Sequence, residues 1–271
     1  MPIFCIDSLD DRRLDPYRNL RRSNKTRWSG QFVVEGHRVV RRLIESGLAI
    51  DSIVVTERRE HFLDDILPAD VPLLVLPFEI ATELVGYNFH HGVMACGIRP
   101  PDPKLGDLLL RMPQPPLIVA CPRMTDPDNM GGLIRLCAGF GVGVLLLGSD
   151  CSDPYSRRVL RVSMGTAFAL PIIESLDLAG DLNRLRSQAG FRLLATVLDR
   201  EAKLLAEVEP RRPSVLLLGN ESDGLAQEWI NLSDERVTIP MTAADSLNVT
   251  VAAGIFLHWL RFGSDESTQR R

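Results

Sequence analysis

The segment LIVACPRMTDPDNMGGLIRLCAGFGVGVLLLG, residues 117–148, holds the pattern that decides the fold. Two near-continuous apolar runs, LIVAC and VGVLLLG, flank a stretch with helical periodicity, in which Met130, Leu133, Ile134 and Cys137 follow i, i+3, i+4, i+7 spacing. Apolar strands separated by helical crossovers are typical of a parallel sheet that is covered on both faces. The segment therefore predicts a strand–helix–strand unit of an α/β protein.

Two adjacent glycines, Gly131 and Gly132, stand in the first turns of this helix, which we expect to start near Asn129. Each lowers helix stability by about 1 kcal/mol relative to alanine. They precede Arg135 by four and three residues, so the helical spacing predicts that all three share an outward face. Bare main chain beside a guanidinium, near a helix N-terminus, would accept a phosphate-bearing ligand. The alternative is that the glycines admit another backbone at close range.

Further strands are predicted on both sides of this segment. In the second half, LPIIE, FRLLATVL, SVLLLGN and RVTIPM are short β-rich runs, and LNVTVAAGIFLHWL is a helix without a polar face that needs a covering surface. The first 100 residues alternate β-α-β-α-β and predict a small α/β domain. Prolines break the periodicity between them. We predict domains at 1–102 and 117–263, a linker at 103–116 and a polar tail at 264–271.

Composition excludes several classes of protein. With 45% apolar and 24% charged residues, the 271-residue chain is typical of a globular protein, and no window approaches the roughly 18 apolar residues of a membrane span. The N-terminus turns acidic within seven residues, unlike a signal peptide. The five cysteines form no CxxC pair, which argues against disulfides and zinc, and we interpret them as small buried hydrophobes. We expect the neighbouring His90 and His91 to face opposite ways, and we predict no metal.

Positive charge is concentrated near the N-terminus although the net charge is −4. Residues 1–42 contain ten Lys or Arg residues against five acids. This surplus could contact nucleic-acid phosphates, or it could be the solvated face of a helical arm. The ten residues are Arg12, Arg13, Arg18, Arg21, Arg22, Lys25, Arg27, Arg38, Arg41 and Arg42.

Three polar or glycine-rich loops follow predicted strands: TDPDNMGG, GNESDG and TAADSLN. Ligands of parallel sheets collect at this edge. Glu221 is a carboxylate in a glycine-flanked turn, and Ser246 or Asp245 is the expected N-cap of the last helix. Asn248, before an apolar helix, needs a hydrogen-bond partner. Dinucleotide, P-loop and nucleophile-elbow motifs are absent from the sequence.

Three motifs, in order, resemble the SpoU/TrmH family of RNA ribose 2′-O-methyltransferases, within the SPOUT superfamily. They are DPDNMGGLIRLCAGFG, LLLGNESDGL and IPMTAADSLNVTVAAGIFL, and the looser RVSMGTAFALP, GQFVVEGHRVVRRLI and HHGVMACGI also look like family segments. The resemblance implies a SPOUT-type parallel-sheet catalytic domain with a C-terminal trefoil knot, which works as a homodimer. It also implies a small L30e-like α/β RNA-binding domain in front. His91 departs from the glutamine of many relatives.

The same resemblance implies S-adenosylmethionine as cofactor and a structured RNA as substrate, ribosomal RNA rather than transfer RNA, in the cytoplasm. A transfer-RNA enzyme and a non-catalytic RNA-binding protein are the alternatives. We interpret Arg135 as a holder of phosphate and a stabiliser of the developing alkoxide, because a guanidinium pKa above 12 suits no general base. The implied catalytic residues are Asn129, Arg135, Glu221, Ser246 and Asn248, and the implied cofactor-binding residues are Thr196, Gly219, Asn220, Ile239, Met241 and Leu247.

Overall fold

The computed structural model describes residues 2–18, 20, 29–243 and 245–264. The chain forms two units, Met1–Pro101 with Asp153–Ala169, and Asp102–Ser152 with Leu170–Arg271. The change of unit at 101/102 lies next to the predicted end of the first domain. Asp153–Ala169 differs from the prediction, because the sequence assigned it to the second domain and it belongs to the first unit.

Short strands alternate with helices along the described part of the chain. The strands are β1 (Ile3–Cys5), β2 (Gln31–Glu35), β3 (Ile50–Thr56), β4 (Leu73–Leu76), β5 (Val93–Ile98), β6 (Leu117–Cys121), β7 (Val144–Leu147), β8 (Ile172–Glu174), β9 (Arg192–Thr196), β10 (Lys203–Leu204), β11 (Ser214–Leu217) and β12 (Glu235–Thr238). The α-helices are α1 (His37–Glu45), α2 (Phe78–Val85), α3 (Leu105–Leu109), α4 (Pro127–Gly139), α5 (Arg157–Val162), α6 (Leu178–Ala189), α7 (Gln227–Leu232) and α8 (Val249–Phe262).

The first unit contains a five-stranded sheet in the order β1-β4-β3-β5-β2. Strands β1 and β3 run parallel to β4, and β5 pairs antiparallel with β3 and β2. From β2 to β5 the order is β-α-β-β-α-β. The predicted alternation of strands and helices therefore holds except between β3 and β4, where only a 3-10 helix, Glu57–Leu63, intervenes. Strand β1 was not predicted, since three residues are too few for a period to show. The His90 and His91 rings lie 4.0 Å apart, so the expectation that they face opposite ways is wrong: they occupy a turn, not an extended segment.

Buried ion pairs hold Asp153–Ala169 within the first unit. Arg157 donates 2.8 Å to the carboxylate of Glu35, which is 6% exposed and also accepts from the Tyr87 hydroxyl at 2.6 Å. Arg99 donates 2.9 Å to Asp153. Breaking a buried pair leaves a charge without compensation, so these contacts account for the position of the segment.

The basic N-terminal residues are partly neutralised where the structure describes them. Arg13 pairs with Asp11 at 2.6 Å, and Arg18 with Asp15 at 2.9 Å. Arg41 pairs with Asp65 at 2.8 Å. Side-chain hydrogen bonding to Arg13 lowers the pKa of Asp11 to about 2. Arg21, Arg22, Lys25 and Arg27 lie outside the described residues.

The second unit is built on a seven-stranded parallel sheet in the order β10-β12-β9-β11-β6-β7-β8. Six of these strands were predicted; β10, with two residues, was not. The predicted linker 103–116 contains α3, and Leu105, Leu108, Leu109 and Met112 pack against the core of this unit. The predicted linker is therefore part of the second unit, because its apolar side chains pack against the core of that unit.

Helix α8 packs against α4 in the second unit. Its buried face consists of Ala253, Phe256, Leu257 and Leu260, while Val251, Ile255 and Phe262 are exposed. Arg261 donates to the carbonyls of Phe140 (2.9 Å), Pro115 (3.0 Å) and Gly141, near the C-terminal end of α4. The bonds to Phe140 and Gly141 satisfy carbonyls just after the end of α4, where a helix leaves carbonyls without partners. The bond to Pro115 joins α8 to the segment before β6. No helix in the described part of the chain is long and apolar enough to cross a membrane.

Candidate active site

The strand order fixes where polar loops meet. From β6 the chain adds β7 and β8 on one side of the sheet, and β9, β11 and β12 lie on the other side. In open α/β sheets the crevice at such a reversal, beyond the carboxyl ends of the strands, is the usual binding position. Here the reversal falls between the neighbours β6 and β11. The loops after these two strands carry Asn129 and Glu221.

Helix α4 begins with a well-formed N-cap. The Asp126 carboxylate accepts hydrogen bonds from the main-chain N–H groups of Asp128 (2.6 Å) and Asn129 (3.1 Å). Pro127 is the first helical residue, where its missing N–H has no cost. The helix thus starts two residues before the expected Asn129, which places that side chain in the first turn.

Glu221 is held by three donors. Its Oε1 accepts from Asn129 Nδ2 at 3.2 Å and from the main-chain N–H of Asp126 at 3.3 Å. Its Oε2 accepts from Asn220 Nδ2 at 3.1 Å. A carboxylate with three donors is fixed in position, so it does not need to reorganise when a ligand arrives.

Asn248 extends this network from the start of α8. Its Nδ2 donates to Asn129 Oδ1 at 2.9 Å, and its Oδ1 accepts from the main-chain N–H of Thr250 at 2.9 Å and from the Thr250 hydroxyl. The prediction that Asn248 needs a partner is confirmed. The predicted N-cap, Ser246 or Asp245, is wrong: Asn248 caps the helix because its oxygen reaches the N–H two residues on.

The hydrogen bonds of the network all run in the same direction, from Thr250 to Glu221. The Thr250 N–H can only donate, so the oxygen of Asn248 faces it and the Asn248 amide nitrogen faces Asn129. The Asn129 nitrogen then faces the Glu221 carboxylate, which can only accept when ionised. Each side-chain amide therefore donates toward the carboxylate. The hydrogen-bond partners fix which end of each amide is the oxygen and which is the nitrogen.

The glycines of α4 lie against other parts of the protein. A Cβ on Gly132 would lie 2.9 Å from the Thr250 methyl carbon Cγ2 of α8, and Gly131 is buried. The prediction that both glycines share an outward face cleared for phosphate is wrong. The alternative of close packing is correct at Gly132, but the group packed against it is the Thr250 side chain and not another backbone. The missing side chain lets the first turns of α4 and α8 come close enough for Asn129 to meet Asn248.

Arg135 stands apart from the network. It is exposed, as predicted, and opposite to the buried Met130, Leu133, Ile134 and Cys137. Six residues after Asn129, it lies about 9 Å further along the helix axis. Its guanidinium forms no hydrogen bond or ion pair with the residues that the structure describes. Ser246 likewise shares no hydrogen bond with Asn129, Glu221 or Asn248.

A cavity of about 470 Å³ opens beside the network, at the carboxyl ends of the adjacent strands β12, β9 and β11. We call it the cofactor cavity. All six residues of the implied cofactor set line it, together with Glu221, Ser246 and Asn248. Among the described residues that line it, the charged ones are Glu221 and Asp223, and none is Lys or Arg. The six are Thr196, Gly219, Asn220, Ile239, Met241 and Leu247.

The wall between β11 and α7 is a tight turn that requires glycine. A Cβ on Gly219 would lie 2.2 Å from the carbonyl carbon of Gly224, and Asn220 and Gly224 exchange two main-chain hydrogen bonds. On the opposite wall, Thr196 Oγ1 donates to the Leu217 carbonyl at 2.9 Å.

Cysteine chemistry does not contribute to this site. Burial raises the pKa of the Cys121 and Cys137 thiols, so neither provides a thiolate near α4. Four cysteines are buried as interpreted, and Cys5 is exposed.

The model of the SpoU rRNA Methylase family matches residues 116–258. The chain belongs to this family. A tRNA/rRNA methyltransferase of Mycobacterium tuberculosis is 32% identical over 91% of this chain and 87% of its own. A 23S rRNA (guanosine-2′-O-)-methyltransferase of Ralstonia nicotianae is 29% identical over 84% and 93%. The crystal structure of an AdoMet-bound rRNA methyltransferase from Sinorhizobium meliloti superposes with a TM-score of 0.80, at 26% identity, over 96% and 97% of the two chains.

Two members of the network were missed by sequence reasoning. Asp126 carried a signal, because it opens the capping run Asp-Pro-Asp-Asn, but its contact with Glu221 joins two loops 95 residues apart. Thr250 carried none, since its role depends on how closely α8 approaches Gly132.

Proposed function

We propose that this SpoU-family protein transfers a methyl group from S-adenosylmethionine to a ribose 2′-hydroxyl of ribosomal RNA. The observation that carries the proposal is the directed Thr250–Asn248–Asn129–Glu221 network at the rim of the cofactor cavity. Relatives that align over most of the chain are named as 23S rRNA 2′-O-methyltransferases.

The cofactor cavity fits S-adenosylmethionine in size and in charge. Its volume lies within the range of about 300–1,000 Å³ that small-molecule sites occupy. Apolar side chains of Ile239, Met241 and Leu247 can cover the faces of an adenine, and main chain near Gly219 can bind its edge. The cofactor carries a sulfonium cation and no phosphate, which suits a lining with two carboxylates and no Lys or Arg. When bound, it supplies an activated methyl group.

The side chains of the network position the ribose. Asn129 and Glu221 present fixed polar atoms at the cavity rim, and holding a nucleophile in line with the donor is the largest contribution that a protein makes to such a transfer. Arg135, without a partner in the described part of the chain, binds an RNA phosphate and stabilises the developing alkoxide. Ser246 contacts the cofactor or the sugar from the other wall.

Methyl transfer to total ribosomal RNA tests this function. We expect ribose methylation at one mapped position and at least tenfold slower transfer with Glu221→Gln. The matched control is Asp107→Asn, an exposed carboxylate of α3 that does not line the cofactor cavity, and its rate should be unchanged. Binding of S-adenosylmethionine, measured by calorimetry, should survive Asn129→Ala. Transfer that is equally fast with Glu221→Gln contradicts the assigned role.

The Arg135→Lys variant tests whether the side chain at position 135 accepts the proton of the ribose 2′-hydroxyl. If Arg135 holds phosphate, the variant lowers the rate with an unchanged pH profile. A rate that follows the titration of the new lysine would instead identify a general base at this position.

The alternatives make different predictions in the same assays. Methylation of transfer RNA but not ribosomal RNA would identify a transfer-RNA enzyme. Binding of RNA without binding of S-adenosylmethionine would identify a non-catalytic protein. Retention of all five implied catalytic residues, with three of them in one network, favours the enzyme.

Assembly and location belong to the same proposal. A homodimer through the knotted catalytic domain would cover Val251, Ile255 and Phe262, three exposed apolar side chains on α8. We propose that residues 1–102 form an L30e-like RNA-binding domain and that the protein acts in the cytoplasm, as relatives that modify ribosomal RNA suggest. Sedimentation of the protein and of Ile255→Glu checks the dimer.

A further inference from the structure

A second cavity, of about 380 Å³, lies on the other side of the 219–225 turn from the cofactor cavity. It spans the carboxyl ends of β11, β6, β7 and β8, and it therefore shares the end of β11 with the cofactor cavity. Gly219, Asn220, Asp223, Gly224 and Leu225 line both cavities. A ligand in the second cavity would therefore be separated from the cofactor by one turn of main chain, which also carries Glu221.

The charges of this cavity are unsuited to phosphate. Arg123, the one basic side chain that the described part of the chain contributes to the lining, lies 3.9 Å from Asp223. Asp150, after β7, and Glu228, in the first turn of α7, are exposed carboxylates that form no ion pair or hydrogen bond with the residues that the structure describes. The lining thus offers two free acceptors with negative charge.

Apolar surface accompanies these acceptors. Leu176, after β8, is fully exposed, and Trp229 lines the cavity while packing against the core behind it. Both side chains line the cavity, and an aromatic ring such as that of Trp229 is the surface on which proteins that recognise RNA stack unpaired bases. The ligand expected in this cavity is flat, aromatic and rich in N–H donors.

Among the RNA bases, guanine matches this description best. Its Watson–Crick edge presents two adjacent donor groups, N1–H and the 2-amino group, beside the O6 acceptor, whereas adenine, cytosine and uracil each present a single donor group on that edge. Carboxylates accept from such groups. We infer that the second cavity binds the base of the nucleotide to be methylated and selects guanine through Asp150 and Glu228. The inference rests on the proposed function, since the sugar of that nucleotide must reach the cofactor across the shared turn.

Removal of the 2-amino group from one base of the RNA tests the inference. Two ribosomal RNA fragments are prepared with guanosine or inosine at the mapped position; inosine lacks the 2-amino group. We expect the wild-type kcat/KM to favour guanosine by about tenfold or more. Asp150→Asn and Glu228→Gln should each reduce that preference severalfold and leave the Kd for S-adenosylmethionine unchanged. Asp107→Asn should keep the preference.

The outcomes separate this inference from the proposed function. A preference that neither variant alters, or a mapped position that is not guanosine, overturns the inference and leaves the enzyme intact. If the wild type transfers no methyl group, the proposed function fails. The second cavity is then judged by fluorescence anisotropy with a uridine decamer that contains one guanosine or inosine: a preference for guanosine that both variants lose supports it, and equal affinities overturn it.

Discussion

Replacement of Gly132 by alanine should damage the active-site network more than the fold. The new methyl carbon would lie 2.9 Å from Thr250 Cγ2, whereas carbon atoms in contact are about 3.5–4.0 Å apart. Helix α8 would therefore have to move away from α4 by roughly 0.6 Å at this point. Asn248, two residues before Thr250, would move with it, and its 2.9 Å bond to Asn129 would exceed the usual upper limit of about 3.2 Å.

Two opposing effects set the change in the free energy of unfolding. Overpacking of a contact costs about 1–3 kcal/mol, and alanine recovers about 1 kcal/mol of helix propensity. The net destabilisation should therefore be about 0–2 kcal/mol. Loss of one network hydrogen bond, worth about 1 kcal/mol, should lower kcat up to about tenfold. The measurements are urea unfolding and methyl transfer at saturating S-adenosylmethionine.

Two further variants decide whether the contact with Thr250 is the cause. Gly139→Ala on the same helix adds a methyl group with no neighbour within 4 Å, so it should raise stability slightly and leave kcat unchanged. Thr250→Ser removes Cγ2 and keeps the hydroxyl that binds Asn248, so adding it to Gly132→Ala should restore most of the rate. Wild-type kcat in Gly132→Ala, or no recovery in the double variant, would refute the reasoning.

Three other substitutions probe the rest of the chain. Burial lowers the pKa of His91 in the folded protein below 6.5, so the unfolded chain binds a proton at this position at higher pH than the folded chain does. The free energy of unfolding should therefore fall as the pH drops below 6.5. His91→Gln should reduce this pH dependence, measured as urea midpoints from about pH 5 to 7. Arg157→Leu leaves the buried Glu35 carboxylate without its cation and should cost about 3–5 kcal/mol, read from urea unfolding. Arg161→Leu, at an exposed position of the same short helix, should cost less and is the matched comparison. Arg261→Met removes three bonds to carbonyls and should cost about 2–4 kcal/mol, seen as a lower Tm; an unchanged Tm would contradict its role at the end of α4.

The sequence was informative where the signal is local. The buried stripe of α4, the outward Arg135 and most strands followed from periodicity within single elements. Strands of two or three residues, such as β10, carry no period and were missed. The second and third motifs were enough to find five residues of the cofactor cavity, because they follow β11 and β12, whose carboxyl ends lie at the same edge of the parallel sheet. The order β12-β9-β11 itself cannot be derived from the chain order.

Residues that act between elements were the ones that sequence reasoning assigned wrongly or left out. A missing side chain at position 132 is compatible with a ligand or with a helix at close range, and no local pattern distinguishes the two. Asp153–Ala169 is contiguous with strands of the second unit, yet its charged partner Glu35 is 122 residues from Arg157. Such contacts depend on long-range pairing, which a single sequence does not reveal.

The position of Gly132 shows how stability and function are joined in α4. A glycine in the second turn weakens the helix by about 1 kcal/mol, and the Asp126 cap restores a comparable amount at the same end. The same cap presents its main-chain N–H to Glu221, so the residue that compensates for the glycine also holds the carboxylate. Close approach of α8 then supplies Asn248 from the other side. The start of α4 therefore brings Asn248 and Glu221, which are distant in the chain, into one hydrogen-bond network. A better helix former at position 132 would stabilise α4 but would weaken this network.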